Sequence, residues 1–238
     1  MKNIQFEDLI VFEDENYIVV NKPPHLSSLD ERAGESTSLL QLARLYDPKA
    51  QLAHRLDKET SGVLVIARNP EAYRHIAIKF EKRMVKKIYH AVSDGRHDLD
   101  DVLVNLPIAI LKKGLVKIDY QEGKEAETLF KTVEIFKQHT LIKCMPITGR
   151  LHQIRIHLSC LKAPIASDEQ YGGKKPYLSE IKRKFHLKKL TEELPLINRV
   201  ALHAHSITFE DMDEKLIEVS ADYPKDMRAF VTQLRNNS

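Results

Sequence analysis

His54-Arg55-Leu56-Asp57-Lys58-Glu59-Thr60-Ser61-Gly62-Val63-Leu64-Val65-Ile66-Ala67 is the stretch from which the rest of this chain is read. It sets a histidine, an arginine and an aspartate side by side, then a Thr-Ser-Gly turn, then an unbroken apolar run from Val63 to Ala67. An apolar run bounded by a turn reads as a buried strand. A carboxylate on a loop that feeds such a strand is held by a rigid scaffold, which suits a reactive group. By spacing alone the commoner reading pairs Asp57 with Arg55 or Lys58 on a surface turn.

Working outward, residues 9 to 22 read as a hairpin that Lys22-Pro23-Pro24 ends, because proline cannot donate to the ladder. Asp30 to Thr37 is polar and reads as a loop, and Ser38 to Tyr46 as a short helix. Asn69 and Pro70 read as the N-cap and first residue of a second helix. On it, Tyr73, Ile76, Ala77, Phe80 and Met84 share one face. A strand follows over 86 to 93. Short strands with turn spacing fill 102 to 146, which suggests antiparallel sheet. Leu151 to Leu161 reads as a helix and 174 to 190 as a basic helical insertion. Two strands (200–209 and 215–220) and a closing helix after Tyr223-Pro224 complete the chain.

The chain has 238 residues, 42% hydrophobic and 30% charged, ordinary for a globular protein. No apolar run approaches the ~20 residues of a membrane helix, and no signal peptide is visible. Cys144 and Cys160 form no CxxC pair and read as two buried free thiols. The net charge of +3 is too mild to prove a polyanion partner. Its distribution says more. Lys174, Lys175, Lys182, Arg183, Lys184, Lys188 and Lys189 crowd one segment, and Lys79, Lys82, Arg83, Lys86 and Lys87 another. Such clusters neutralise phosphates, although a single one is usually a solvated face.

HRLDKETSGVLVIA resembles the catalytic motif of the RluA-type pseudouridine synthase family, in which the aspartate is essential. Thr148-Gly149-Arg150-Leu151-His152-Gln153-Ile154-Arg155-Ile156-His157-Leu158 resembles the family's TGR-x-HQIR-x-H segment, and Leu202-His203-Ala204 its C-terminal LHA motif. Lys87-Ile88-Tyr89-His90-Ala91-Val92 is similar to its K-x-Y-x-A-x-V. The resemblance runs from about Val11 to about Tyr223. It implies an α+β fold: one catalytic domain over 1–238, with a mostly antiparallel mixed β-sheet flanked by helices. No S4-type RNA-binding module is expected before the first motif, and 174–195 stands as a basic insertion.

The implied activity is isomerisation of specific uridines in structured RNA, ribosomal or transfer, to pseudouridine. That means breaking the bond from uracil N1 to ribose C1′ and rejoining through C5. The base must first leave its stack, at a cost of a few kcal/mol. The resemblance makes Asp57, Tyr89 and Arg155 the catalytic residues: the carboxylate, the base-stacking ring, and the guanidinium paired with the carboxylate. A guanidinium beside a carboxylate favours its charged form. Arg55, His54, Arg150 and Leu202 are the substrate-binding candidates, Arg55 opening the RNA stack and Leu202 forming part of the apolar wall under the uracil. No cofactor and no metal is expected, and the partner is RNA, met by a cytoplasmic monomer away from the membrane.

The chain departs from the family pattern in three places. Pro24-His25-Leu26 follows Lys22-Pro23 where a small residue and glycine are usual. Leu151 replaces a Thr or Ser. Ser167-Asp168-Glu169-Gln170-Tyr171-Gly172 has Ser for the first glycine of G-D-x-x-Y-G. These put local backbone geometry in question more than activity. Other readings remain open at this point. A metal hydrolase would draw on His54, Asp57, His152, His157, His203 and His205, but no HExxH or acidic cluster is present. A glycosidase would need a second carboxylate facing Asp57, and nothing marks Glu59 for it. A non-catalytic RNA-binding ribosome assembly factor would use the same basic surface.

Overall fold

The computed structural model describes residues 4–30, 37–111, 114–183, 185–187 and 191–238. Two compact units emerge from its contacts: 1–88 with 203–223, and 89–202 with 224–238.

In the first unit, β1 (Ile10–Glu13) and β2 (Tyr17–Lys22) form the expected hairpin, and β3 (Ser61–Ala67) lies antiparallel to β2. All seven residues of β3 are buried, as an apolar run without alternation demands. On the other side of β3 runs β10 (Leu202–Glu210), parallel to it through His203↔Ser61 and Ala204↔Gly62. β11 (Leu216–Ser220) pairs antiparallel with β10. The parallel contact is close. A Cβ added at Gly62, whose φ is +115°, would sit 2.1 Å from the Ala204 carbonyl oxygen. Only glycine satisfies both the dihedral and the approach.

Helix α1 (Leu39–Tyr46) starts at a capping box, with Ser38 and Gln41 bonding each other's backbone amides. Helix α2 (Pro70–Glu81) is capped by the Asn69 side chain. Its buried face differs from the expected one. Ala72 and Ile76 face the core, while Tyr73 is exposed and Met84 lies past the helix end and is half exposed. The helix stops at Glu81, so the periodicity no longer applies at 84. Residues 31–36, within the segment read as a polar loop, lie outside the described residues.

The second unit carries β4 (Lys86–Asp94, shared with the first at its start), β5 (Val102–Asn105), β8 (Glu127–Ile135) and β9 (His139–Pro146). They are antiparallel in the order β4-β9-β8-β5. β6 (Ile108–Ile110) and β7 (Val116–Ile118) form a separate hairpin. Helix α3 (Gln153–Cys160) packs Ile156 into the cluster of Ile108, Val116 and Ala126, which Leu151 also touches. Leu151 thus serves as an apolar plug where the family pattern has a hydroxyl. Helix α5 (Lys225–Asn236) closes the unit with Met227, Phe230, Val231 and Leu234 buried. The α+β class with a mixed, mostly antiparallel sheet is as expected.

Two readings are corrected. The segment 174–190 is not one helix: among its described residues only α4 (Leu178–Ile181) is helical, and Lys184 and Lys188 to Leu190 lie outside the description. Pro176 and the crowded like charges do not favour a longer helix. Cys144 is buried but Cys160 is exposed, because it ends α3 on the solvent side. Both are free.

Candidate active site

The Asp57 loop is tied down from behind. Lys22, with no exposed surface, sends its Nζ to the carbonyls of Pro23, Leu26 and Lys58, at 3.0, 2.9 and 3.2 Å. The His25 N–H donates to the same Lys58 carbonyl at 2.8 Å. Ser28 Oγ accepts from Leu56 N–H at 3.1 Å and donates to the Leu56 carbonyl at 2.8 Å. The residues on either side of Asp57 are therefore each held by a side chain from the 22–28 segment. A turn from Thr60 N–H to the Asp57 carbonyl, 3.0 Å, closes the loop. Asp57 itself is half-buried and Arg55 exposed.

His54 is held inside the fold. Its Nε2 accepts from Val65 N–H at 2.9 Å and its ring packs on Phe80 with centroids 4.4 Å apart. Burial, with the charge of Lys87 nearby, pushes its pKa down to about 3, so the ring is neutral. This is a structural arrangement that braces β3 against α2.

His25 takes φ +66° where the family pattern has glycine. Ser167 takes φ +62° where it has the first glycine of G-D-x-x-Y-G. Both departures therefore keep the backbone that glycine would supply, at a conformational cost. Ser167 Oγ offsets part of it by donating to the Ile197 carbonyl at 2.7 Å.

In the second unit Tyr89 is half-buried at the head of β4, opposite Cys144 on β9. Arg150 is exposed, its Nε on the Glu125 carbonyl at 2.9 Å. Leu202 is 4% exposed. Arg155, on the first turn of α3, is 8% exposed. Its Nε and Nη2 each reach one oxygen of Asp168, both at 2.7 Å, and Nη2 also bonds Gln170 Oε1 at 3.2 Å. The guanidinium lies 4.9 Å from the centre of the Tyr171 ring. The Tyr171 hydroxyl is within 2.9 Å of His152 Nδ1 and accepts from Gln170 Nε2 at 3.1 Å. Two parallel charge-assisted bonds and a stacked ring leave the guanidinium one orientation. Gly173 closes this turn so tightly that a Cβ there would meet the Ile165 carbonyl oxygen at 1.8 Å.

Sequence reading gave Asp168 no role and read Lys22 only as the end of a strand. The signal for Asp168 was present in Ser167 to Gly172, but nothing in a linear motif says which cation an aspartate meets.

Two histidines of the metal reading, His157 and His203, have both ring nitrogens engaged by the fold. His157 is bonded to Thr128 Oγ1 and the Leu106 carbonyl, at 3.0 and 3.1 Å. His203 is bonded to Ser61 Oγ and the Ala221 carbonyl, at 2.9 and 3.0 Å. Among the described residues no three His, Cys, Asp or Glu side chains are grouped to hold a metal ion.

The first unit thus holds a loop-borne carboxylate braced on both sides, and the second a buried, oriented arginine at a helix start. A family model described as RNA pseudouridylate synthase matches residues 16–160. The chain belongs to the RNA pseudouridylate synthase family, whose members isomerise uridine to pseudouridine in RNA. Among curated relatives, ribosomal large subunit pseudouridine synthase C of Vibrio vulnificus (strain CMCP6) is 32% identical over 240 residues, 99% of this chain and 72% of that protein. The enzyme of the same name from Buchnera aphidicola subsp. Baizongia pistaciae is 36% identical, over 98% of this chain and 72% of its own length. That from Escherichia coli (strain K12) is 33% identical, over 96% and 70%. Among solved structures, human RNA pseudouridylate synthase domain containing 1 aligns with a TM-score of 0.70 at 24% identity, covering 94% of this chain and 87% of its own. Human RNA pseudouridylate synthase domain containing 4 gives 0.69 at 22%, covering 97% and 95%. These two share the fold.

Among the described residues no helix is long and apolar enough to cross a membrane.

Proposed function

We propose that this isomerase modifies uridines of large-subunit ribosomal RNA, with Asp57 as its catalytic carboxylate. The observation that carries the RNA assignment is the identity of about a third, along nearly the whole chain, to synthases named for that RNA. The double brace on Leu56 and Lys58 supports Asp57 as the reactive group, because it fixes a side chain that itself stays half open.

The work of each residue follows from the reaction. The carboxylate has three routes open to it: it bonds C1′ as N1 departs, it adds to C6 of the base before N1–C1′ breaks, or it takes the C2′ proton as N1 departs to give a glycal. Rejoining forms C5–C1′, loses the C5 proton and leaves a proton on N1, so no redox step or water is consumed. Tyr89 stacks on the extruded base, and Leu202 walls its apolar side. Arg155 is the third catalytic residue beside Asp57 and Tyr89, and a double-mutant cycle between Arg155 and Asp57 measures their coupling. Arg55, exposed, opens the RNA stack as the base leaves it, and Arg150, also exposed, meets the RNA backbone. His54 braces β3 against α2. The protein works as a monomer in the cytoplasm, and the basic segment 174–195 shapes site choice.

The test is unmodified large-subunit ribosomal RNA, and bulk transfer RNA in parallel, incubated with wild-type protein and Asp57→Asn. Pseudouridine is mapped by chemical adduct and primer-extension stops. A stop on ribosomal RNA with wild type alone is expected. Stops confined to transfer RNA would refute the substrate, and stops that persist in Asp57→Asn would refute the carboxylate. The assembly-factor reading would leave no stop on either RNA from protein that binds both.

A further inference from the structure

Arg199 is 2% exposed, among the largest buried side chains of the described residues. A guanidinium at that depth persists only with its donors met. Its Nε and Nη2 reach both oxygens of Asp226, at 2.7 and 3.0 Å. Its Nη1 donates to the carbonyls of Val200 and Leu202, at 3.0 and 3.3 Å. Asp226 stands in the first turn of α5, and its Oδ1 also accepts from Met227 N–H at 2.7 Å. Burial alone would raise the Asp226 carboxyl, but the bonds and charge of Arg199 outweigh it and hold the group below its ordinary value.

The gripped segment makes a sharp turn. Leu202 N–H points back to the Val200 carbonyl at 2.7 Å, an i to i+2 bond. Between them, Ala201 bonds the Ala166 carbonyl through its N–H (3.1 Å) and Val92 N–H through its carbonyl (3.0 Å). Three-residue turns hold little energy of their own. Here one guanidinium clasps the carbonyls at both ends of the turn, and the carboxylate of a separate helix holds the guanidinium.

We propose that Arg199 and Asp226 are positioning residues for the isomerisation: they lock the Val200–Leu202 turn so that Leu202 presents a rigid wall to the detached uracil. This rests on the reading of Leu202 as that wall. Between cleavage of N1–C1′ and formation of C5–C1′ the base must turn without leaving. A loosened wall admits the competing outcome, in which water gives its hydroxyl to C1′ and a proton to N1. The products are then free uracil and an abasic ribose instead of pseudouridine.

Three variants test this on the ribosomal RNA that wild type modifies. Arg199→Lys removes the fork. Asp226→Asn removes the charge that orients it. Arg199→Met with Asp226→Leu keeps burial and volume, so the fold survives even where a single change leaves an unpaired charge. Pseudouridine, free uracil, kcat, KM and the far-ultraviolet spectrum are measured for each. The expected result is a native spectrum, KM within about twofold, kcat down by about 10–100-fold, and uracil rising above about a tenth of turnovers. Folded variants with wild-type kcat and no uracil overturn the proposal and leave the pair a role in stability alone. Leu202→Ala runs alongside. If it raises uracil and the Arg199 and Asp226 variants do not, the wall stands and the clasp proposal falls. If Leu202→Ala itself changes nothing, the reading of Leu202 falls and the proposal with it.

Discussion

Replacing Asp168 with asparagine strikes the group that orients Arg155 while changing almost no volume. The side chains of the pair are 9% and 0% exposed, and the two bonds between them are 2.7 Å each. Removing one partner of a buried ion pair costs about 3–5 kcal/mol, because the other charge is left uncompensated. Asparagine keeps one acceptor, which returns about 1–2 kcal/mol, and Gln170 and Tyr171 still touch the guanidinium. The net loss should be about 1–4 kcal/mol, a sizeable part of a total stability of roughly 5–15 kcal/mol. Urea unfolding at pH 7 measures it. The asparagine amide also sets a donor against a guanidinium donor, which turns Arg155 away from its present orientation. A misplacement of about 1 Å is worth about 100-fold in rate, so kcat/KM should fall by about 10–100-fold. The double variant Asp168→Asn with Arg155→Met should regain stability, since no charge is left unpaired, and regain no activity. A loss under about 1 kcal/mol with kcat/KM unchanged would refute both the energetic and the positional reasoning.

Other expectations follow from single contacts. Gly62→Ala forces a Cβ against the Ala204 carbonyl at a φ of +115°, and should cost about 3–5 kcal/mol in urea unfolding; a cost near zero would mean β3 and β10 are not so close. Lys22→Met takes the ammonium from three carbonyls, of which that of Lys58 keeps the His25 N–H, and should lower kcat more than RNA affinity; equal losses in both would argue against a brace specific to the Asp57 loop. Burial pushes the pKa of His54 down to about 3 and that of His139 to about 4, below the unfolded value near 6.5. Their neutral forms therefore support the fold fully above pH 6.5, and that support is lost as pH falls towards 4 and then 3, about 2 kcal/mol per group by pH 5. Lys87 faces His54, and Asp94 stands 3.5 Å from His139. Unfolding midpoints that do not move between pH 7.5 and 5 would refute this assignment. Ser167→Gly relieves a left-handed φ and forfeits one hydrogen bond, so stability should change by less than about 1 kcal/mol either way.

Local order was readable from the sequence wherever a short-range signal decided the outcome. Val63 to Ala67 is apolar without a break and became a strand buried on both faces. Asn69-Pro70 opened α2, Ser38 capped α1, and the spacing of turns through 102–146 gave antiparallel strands. Three motifs far apart in the chain carried the family. What sequence could not supply was pairing at a distance. Met84 misled because periodicity does not say where a helix stops, and the crowded lysines of 174–190 did not make a helix. Asp168 lies thirteen residues from Arg155 and Asp226 twenty-seven from Arg199, and only folding decides that these carboxylates meet those guanidiniums. The same holds for Lys22, whose ammonium finds a carbonyl thirty-six residues away. The identity of reactive groups is written in residue type and order, since chemistry needs particular atoms. Their orientation is set by buried hydrogen bonds between segments remote in sequence, which exist only once the chain has closed on itself.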